Sequence, residues 1–231
     1  MSEYNNLQLD EIDPSGAITE SLEAAQDVTA GQTRADFLKK FAVGASGIAI
    51  AGALASPAGA LAQNVSGTNS TKQDIAILNY ALTLEYLEQA FYVQAVNAKK
   101  LNSRNAYFAK VVASHETAHV KALLATIPKL GGKPVGKPKF NFRGTNGNDK
   151  TFLATSLALE ETGVAAYLGQ VTRIYNDAVL KAAGSIVTIE ARHAAWVRTI
   201  LGLNPAPKAF DGSRTINGTL AIVKGTKFIV G

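Results

Sequence analysis

Beyond residue 62 the chain carries six glutamates, Glu85, Glu88, Glu116, Glu160, Glu161 and Glu190, and three histidines, His115, His119 and His193. Two of the histidines complete Glu-x-x-His motifs, Glu116-Thr117-Ala118-His119 and Glu190-Ala191-Arg192-His193. Residues three apart share a helix face, so each motif points a carboxylate and an imidazole the same way. A matched pair precedes them. Leu82-Thr83-Leu84-Glu85 is followed seven residues on by Tyr92, and Leu157-Ala158-Leu159-Glu160 seven residues on by Tyr167. Glu85 to Glu116 is 31 residues and Glu160 to Glu190 is 30. The same half-site therefore occurs twice, a lone Glu and then Glu-x-x-His one helix later. This repeat implies a pseudo-twofold arrangement with the site near its axis.

The residue types suit two metal ions. Most of these glutamates stand among apolar residues, and a carboxylate buried there is costly unless a cation or a proton compensates it. Two divalent ions about 3.5–4 Å apart need bridging anions, which carboxylates can supply. One His per metal adds a neutral ligand that favours iron or manganese over magnesium. Four Glu and two His nearly balance two divalent cations, and open coordination positions can take dioxygen or peroxide. The candidate ligands are Glu85, Glu116, His119, Glu160, Glu190 and His193. Glu88, one turn past Glu85, reads as a partner of the ligands rather than a ligand. Tyr92 and Tyr167 are either core residues or hydrogen-bond donors to ligand carboxylates. Glu161 points about 100° away from Glu160 and belongs on the surface. His115 reads as a structural histidine and Trp196 as core.

Helices must position these groups. Ile75, Leu78, Leu82, Leu84, Leu87, Phe91 and Val93 recur at three- and four-residue spacing, which predicts a helix from Asp74 to Lys100. Asp74 near its start favours the helix dipole. A second helix spans 104–130, its last turn frayed by Pro128 and stopped by Gly131-Gly132. A Gly/Pro-rich connection covers 131–148. A third helix is expected over 149–175, a turn at Asn176-Asp177, and a fourth helix to Leu201. The tail, 208–231, reads as a strand or short helix over one end of the bundle. The fold class is all-α: a four-helix bundle with one long crossover between helices two and three, which is the ferritin-like topology.

These residues resemble the ferritin-like superfamily of di-iron and di-manganese carboxylate proteins. The run Asp74-Ile75, Ile77-Leu78-Asn79, Ala81-Leu82 and Leu84-Glu85-Tyr86-Leu87-Glu88 is similar to exported ferritin-like proteins that include desiccation-related proteins. The resemblance covers roughly 72–203. It implies one half-site of Glu85, Glu116 and His119 and another of Glu160, Glu190 and His193, with Glu116 and Glu190 bridging. It implies a di-iron oxidase or peroxidase, or a manganese-catalase-like enzyme, acting on Fe(II), dioxygen or peroxide. The alternative is a non-enzymatic desiccation or envelope protein with a metal staple or a vestigial site. A homo-oligomer is compatible with the family. A storage cage is not expected, because cages depend on a compact domain free of large appendages.

Composition sets the remaining bounds. Residues 1–62 hold eight acids and three bases, whereas 63–231 hold ten acids and twenty bases. The absence of cysteine excludes disulfides, zinc-thiolate sites, iron–sulfur clusters and thiol catalysis. Residues 1–32 read as an acidic disordered segment. Thr33-Arg34-Ala35-Asp36-Phe37-Leu38-Lys39-Lys40, an uncharged run from Phe41 to Ala62 and the small-x-small end Ala60-Leu61-Ala62 have the order of an export signal. The stretch resembles a twin-arginine signal, with Ala35 where the second Arg would stand. A membrane anchor through 41–62 and a helix packed on the domain are the alternatives. The expected domains are thus 1–32, the signal or anchor 33–62, the bundle 63–207 and the tail 208–231. Lys133, Lys137, Lys139, Arg143 and Lys150 lie in a loop without interleaved aromatics, which disfavours nucleic acid.

Overall fold

The computed structural model describes residues 69–230. The acidic segment and the export-signal or anchor segment lie outside the described residues. The helices are α1 (Thr71–Ala98), α2 (Ser103–Lys129), α3 (Asp149–Leu168), α4 (Asp177–Ile200) and α5 (Ile216–Thr226), with a 3-10 turn at Val171–Arg173. No sheet forms among the described residues; there is one isolated antiparallel bridge, Phe140 to Ile229. None of these helices is long and apolar enough to cross a membrane.

Each bundle helix begins where a short polar side chain can accept from an otherwise orphaned amide. Ser70 accepts from Gln73, Asn102 from Asn105, Asn148 from Lys150 and Thr151, and Asn176 from Ala178 and Val179. Short connections fold α1 onto α2 and α3 onto α4. The crossover between α2 and α3 is pinned to α1 by Asn79, which donates to the Lys133 carbonyl at 3.2 Å and accepts from the Val135 amide at 2.8 Å. The core between the helices is rich in large rings and branched chains, among them Leu82, Leu87, Phe91, Phe108, Ile127 and Phe152.

Helices one, two and four fall where the apolar periodicity puts them. The third does not: it ends at Leu168 rather than continuing to Tyr175. The cause is tertiary. A Cβ at Gly169 would lie 1.8 Å from the Arg214 carbonyl oxygen, and the Arg214 amide donates to the Ala165 carbonyl at 2.8 Å. The C-terminal segment thus lies across the end of α3, and only glycine admits it there. Beyond the 3-10 turn, the amides of Tyr175 and Asn176 donate to Asp74 at 2.8 and 2.9 Å. Asp74 is fully buried, so it ties the start of α1 to the start of α4 as well as favouring a helix dipole.

Of the two elements that the tail's sequence left open, the short helix is the one that forms. The tail forms α5, which buries Ile216, Leu220 and Val223, and then a short extended end. There the Asn141 amide donates to the Phe228 carbonyl and the Val230 amide to the Lys139 carbonyl. Phe142 of the crossover packs edge-on against Phe91 and Phe228, with ring centroids 5.2 and 5.3 Å apart.

Candidate metal centre

Helices α1 and α3 each present a lone glutamate, and α2 and α4 each present a Glu-x-x-His pair. Glu85, Glu116, Glu160 and Glu190 are all 0% exposed. Their ligand atoms form two overlapping groups, Glu85, Glu116, His119 and Glu190, and Glu116, Glu160, Glu190 and His193. Within each group the atoms lie within 4.8 Å of one another. The fold therefore brings together all six residues singled out by spacing, with Glu116 and Glu190 common to both groups.

The contacts are denser than hydrogen bonding requires. His119 Nδ1 lies 3.1 Å from Glu116 Oε2, 3.2 Å from Glu85 Oε2 and 3.2 Å from Glu190 Oε1. His193 Nδ1 lies 3.2 Å from Glu160 Oε2 and 3.3 Å from Glu116 Oε1. One ring nitrogen carries at most one proton, so it cannot satisfy two or three carboxylates. Among the described residues, Glu116 Oε1 and both Glu190 oxygens are buried without an aligned hydrogen-bond donor. Buried acceptors are normally satisfied, and a cation would satisfy several at once. Four carboxylates with two imidazole Nδ1 atoms fit a pair of iron or manganese ions by donor type.

The supporting groups follow the same pseudo-symmetry. The Tyr92 hydroxyl donates to Glu160 and the Tyr167 hydroxyl donates to Glu85. The alternative left open for these tyrosines thus resolves as donors that are also buried. Two departures break the symmetry. Glu88 is 3% exposed, and the residue three beyond Glu160, its counterpart, is Gly163. A Cβ at Gly163 would lie 3.1 Å from Glu190 Oε2 and 3.3 Å from Glu88 Oε1. Glu88 therefore occupies the side that Gly163 leaves open. His115 is the second departure; it stays outside both candidate ligand groups, and the structure adds the partner that satisfies it. Its Nδ1 lies 2.9 Å from Nε2 of His193, with the rings stacked at 5.1 Å. It holds the outer nitrogen of an imidazole whose inner nitrogen faces the carboxylates. Its place directly before Glu116 gave no hint of this, because adjacent helical residues diverge by about 100°. Glu161 is exposed and pairs with Arg198.

Electrostatics follow from burying so many acids together. Burial, and then the charge of Glu116, pushes the Glu85 carboxyl up to about 8. Burial, followed by the charges of neighbouring glutamates, raises Glu88 and Glu190 well above the usual carboxylate range. Burial acts the same way on Glu116, but the hydrogen bonds from His119 and His193 outweigh it and hold Glu116 near about 2. Burial depresses both His119 and His193; the surrounding carboxylates outweigh it and raise His119 to about 12 and His193 to about 9. Burial likewise raises Tyr92 and Tyr167, so both phenols remain protonated donors. Protons on these groups supply positive charge that bound cations would displace.

No curated protein matches the chain. The sequence model of the ferritin-like domain matches residues 73–203, the span of α1 to α4 and with it every one of the six converging side chains. By that match over more than half its length, and by the helix order and crossover that carry the site, the chain belongs to the ferritin-like domain family.

Proposed function

We propose that this chain is an exported two-metal carboxylate protein that carries out redox chemistry on peroxide or on Fe(II) and dioxygen. One observation carries the reading: six buried Glu and His side chains converge, with carboxylate oxygens that no donor among the described residues satisfies. Glu85 and His119 would hold one ion, Glu160 and His193 the other, and Glu116 and Glu190 would bridge. When bound, such a pair supplies two-electron redox capacity and open positions for a small oxygen species.

The protein's own groups then have defined tasks. Tyr92 and Tyr167 orient the two terminal carboxylates, and His115 fixes the ring of His193. Glu88 sits beside Glu190 with its carboxyl raised well above the usual range by burial and the neighbouring acids, so it can hold a proton next to the site. Helix packing keeps the site dry, which strengthens each of these interactions. The export half of the reading is supported by the basic, apolar and small-residue order of 33–62.

Elemental analysis of protein purified from its native envelope, with no metal added, tests the assignment. The expected result is near two equivalents of iron or manganese per chain, with peroxide consumption or Fe(II) oxidation that a chelator removes. A protein that holds no metal and takes none up on reconstitution would sink the reading.

A further inference from the structure

Tyr92 and Tyr167 hold equivalent places beside the carboxylates, yet their surroundings differ. Tyr167 borders an apolar cavity of about 30 Å³ lined by Ile77, Leu78, Leu84 and Ile186 among others. That space suits a molecule the size of water or dioxygen and admits no organic reductant. Tyr92 instead stands at the inner end of a row of rings. Phe108 meets Tyr92 edge-on at 5.9 Å, Trp196 meets Phe108 at 5.1 Å, and Tyr107 meets Trp196 at 5.9 Å. Tyr92 and Phe108 are fully buried, Trp196 is half-buried, and Tyr107 is 62% exposed. The row draws on α1, α2 and α4 and runs from a hydrogen bond on Glu160 to solvent.

Edge-to-face ring pairs are ordinary core packing. Two features set this row apart: one end touches a candidate ligand, and the other is a tyrosine left open to solvent. Tyrosine and tryptophan are the side chains most readily oxidised by one electron, and a phenylalanine in contact with both couples them.

We propose that Tyr92, Phe108, Trp196 and Tyr107 form a one-electron route between the surface and the carboxylate centre, serving a phenolic reductant that is oxidised at Tyr107 without entering the bundle. The proposal rests on the two-metal redox reading. Each phenol, ArOH, gives one electron and one proton at the surface. Tyr92 passes an electron inward while its phenolic proton shifts along the hydrogen bond to Glu160 and returns when Tyr92 is refilled from Trp196 and then Tyr107; the two protons that the phenols release to solvent are balanced by two that the centre takes up from solvent. Two such transfers reduce one peroxide: H2O2 + 2 ArOH gives 2 H2O + 2 ArO•.

Trp196 is the sole tryptophan, so azide radicals made by pulse radiolysis oxidise it selectively in the full chain, with or without metal. The expected indolyl radical decays into a tyrosyl radical at a rate independent of protein concentration. Tyr107→Phe slows that step by about an order of magnitude, while Tyr175→Phe, at an equally exposed tyrosine, leaves it unchanged. In metal-loaded protein, Trp196→Phe lowers peroxide-dependent oxidation of guaiacol by about an order of magnitude with metal content unchanged. Peroxide then leaves no tyrosyl electron-spin resonance signal at Tyr107. Unaltered transfer in Tyr107→Phe overturns the proposal. Unaltered guaiacol oxidation in loaded Trp196→Phe also overturns it and leaves the two-metal reading intact. A chain that takes up no metal, though its radical transfer persists, overturns both.

Discussion

The Tyr92 hydroxyl on α1 donates its hydrogen bond to Glu160 on α3, not to Glu85 seven residues earlier on its own helix. Tyr167 on α3 returns the arrangement by donating to Glu85 on α1. Each terminal carboxylate is thus oriented by the opposite helix, and the two half-sites lock each other in place. Tyr92→Phe or Tyr167→Phe should keep the fold and weaken metal binding by roughly 10–100-fold, the usual effect of losing a partner that orients a ligand. Competitive metal titration of the folded variant measures it; unchanged affinity would remove the orienting role.

Glu116 and Glu190 belong to both ligand groups. Replacing either with Ala should therefore abolish paired binding, not merely halve it, as elemental analysis would show. Glu161→Ala is the control, since that residue is exposed and pairs with Arg198. Two equivalents retained in Glu116→Ala would refute its bridging place.

The buried acids give the metal-free protein a characteristic pH response. Glu85 holds a proton up to about 8 in the fold but only to 4.5 ordinarily, so the native state binds more protons above 4.5. His119 and His193, raised from 6.5 to about 12 and about 9, act in the same direction at higher pH. More protons on the native state means that stability falls as pH rises. Glu116, held near about 2, contributes the opposite slope only below its ordinary 4.5. The melting temperature of the chelator-treated chain should therefore drop between about pH 5 and about pH 8, with the gain on adding manganese growing over the same range. A melting temperature that climbs with pH would contradict the burial of these acids.

Gly163 leaves room that two carboxylates use. A methyl group there would press on Glu190 Oε2 and Glu88 Oε1 at 3.1 and 3.3 Å, inside ordinary contact. Gly163→Ala should improve helix propensity by about 1 kcal/mol yet reduce metal affinity, so melting and metal titration should move in opposite directions. Glu88→Ala in the same background should restore part of the affinity by relieving the crowding.

Phe108 is fully buried between Tyr92, Phe152 and Trp196. Phe108→Ala should cost about 3–5 kcal/mol by denaturant unfolding, the range for deleting a buried aromatic ring. A cost below about 1 kcal/mol would mean that the site collapses around the gap.

The sequence by itself determined the helices of the bundle, their order and the six converging side chains. It could do so because a 3.6-residue apolar period fixes which face of a helix turns inward, and Glu-x-x-His places its two groups on that face. Spacing alone also paired the half-sites, since a duplicated pattern on a duplicated helix hairpin must meet across the axis. Only the tertiary structure decided where α3 ends, because Gly169 is demanded by the Arg214 backbone, 45 residues away. It alone joined His115 to His193 and crossed each tyrosine onto the other half-site, contacts made between helices that no local period encodes. It decided, too, that Trp196 should bridge Phe108 and the exposed Tyr107. Periodicity specifies the direction in which a side chain points, whereas the partner it meets there depends on how the helices are packed.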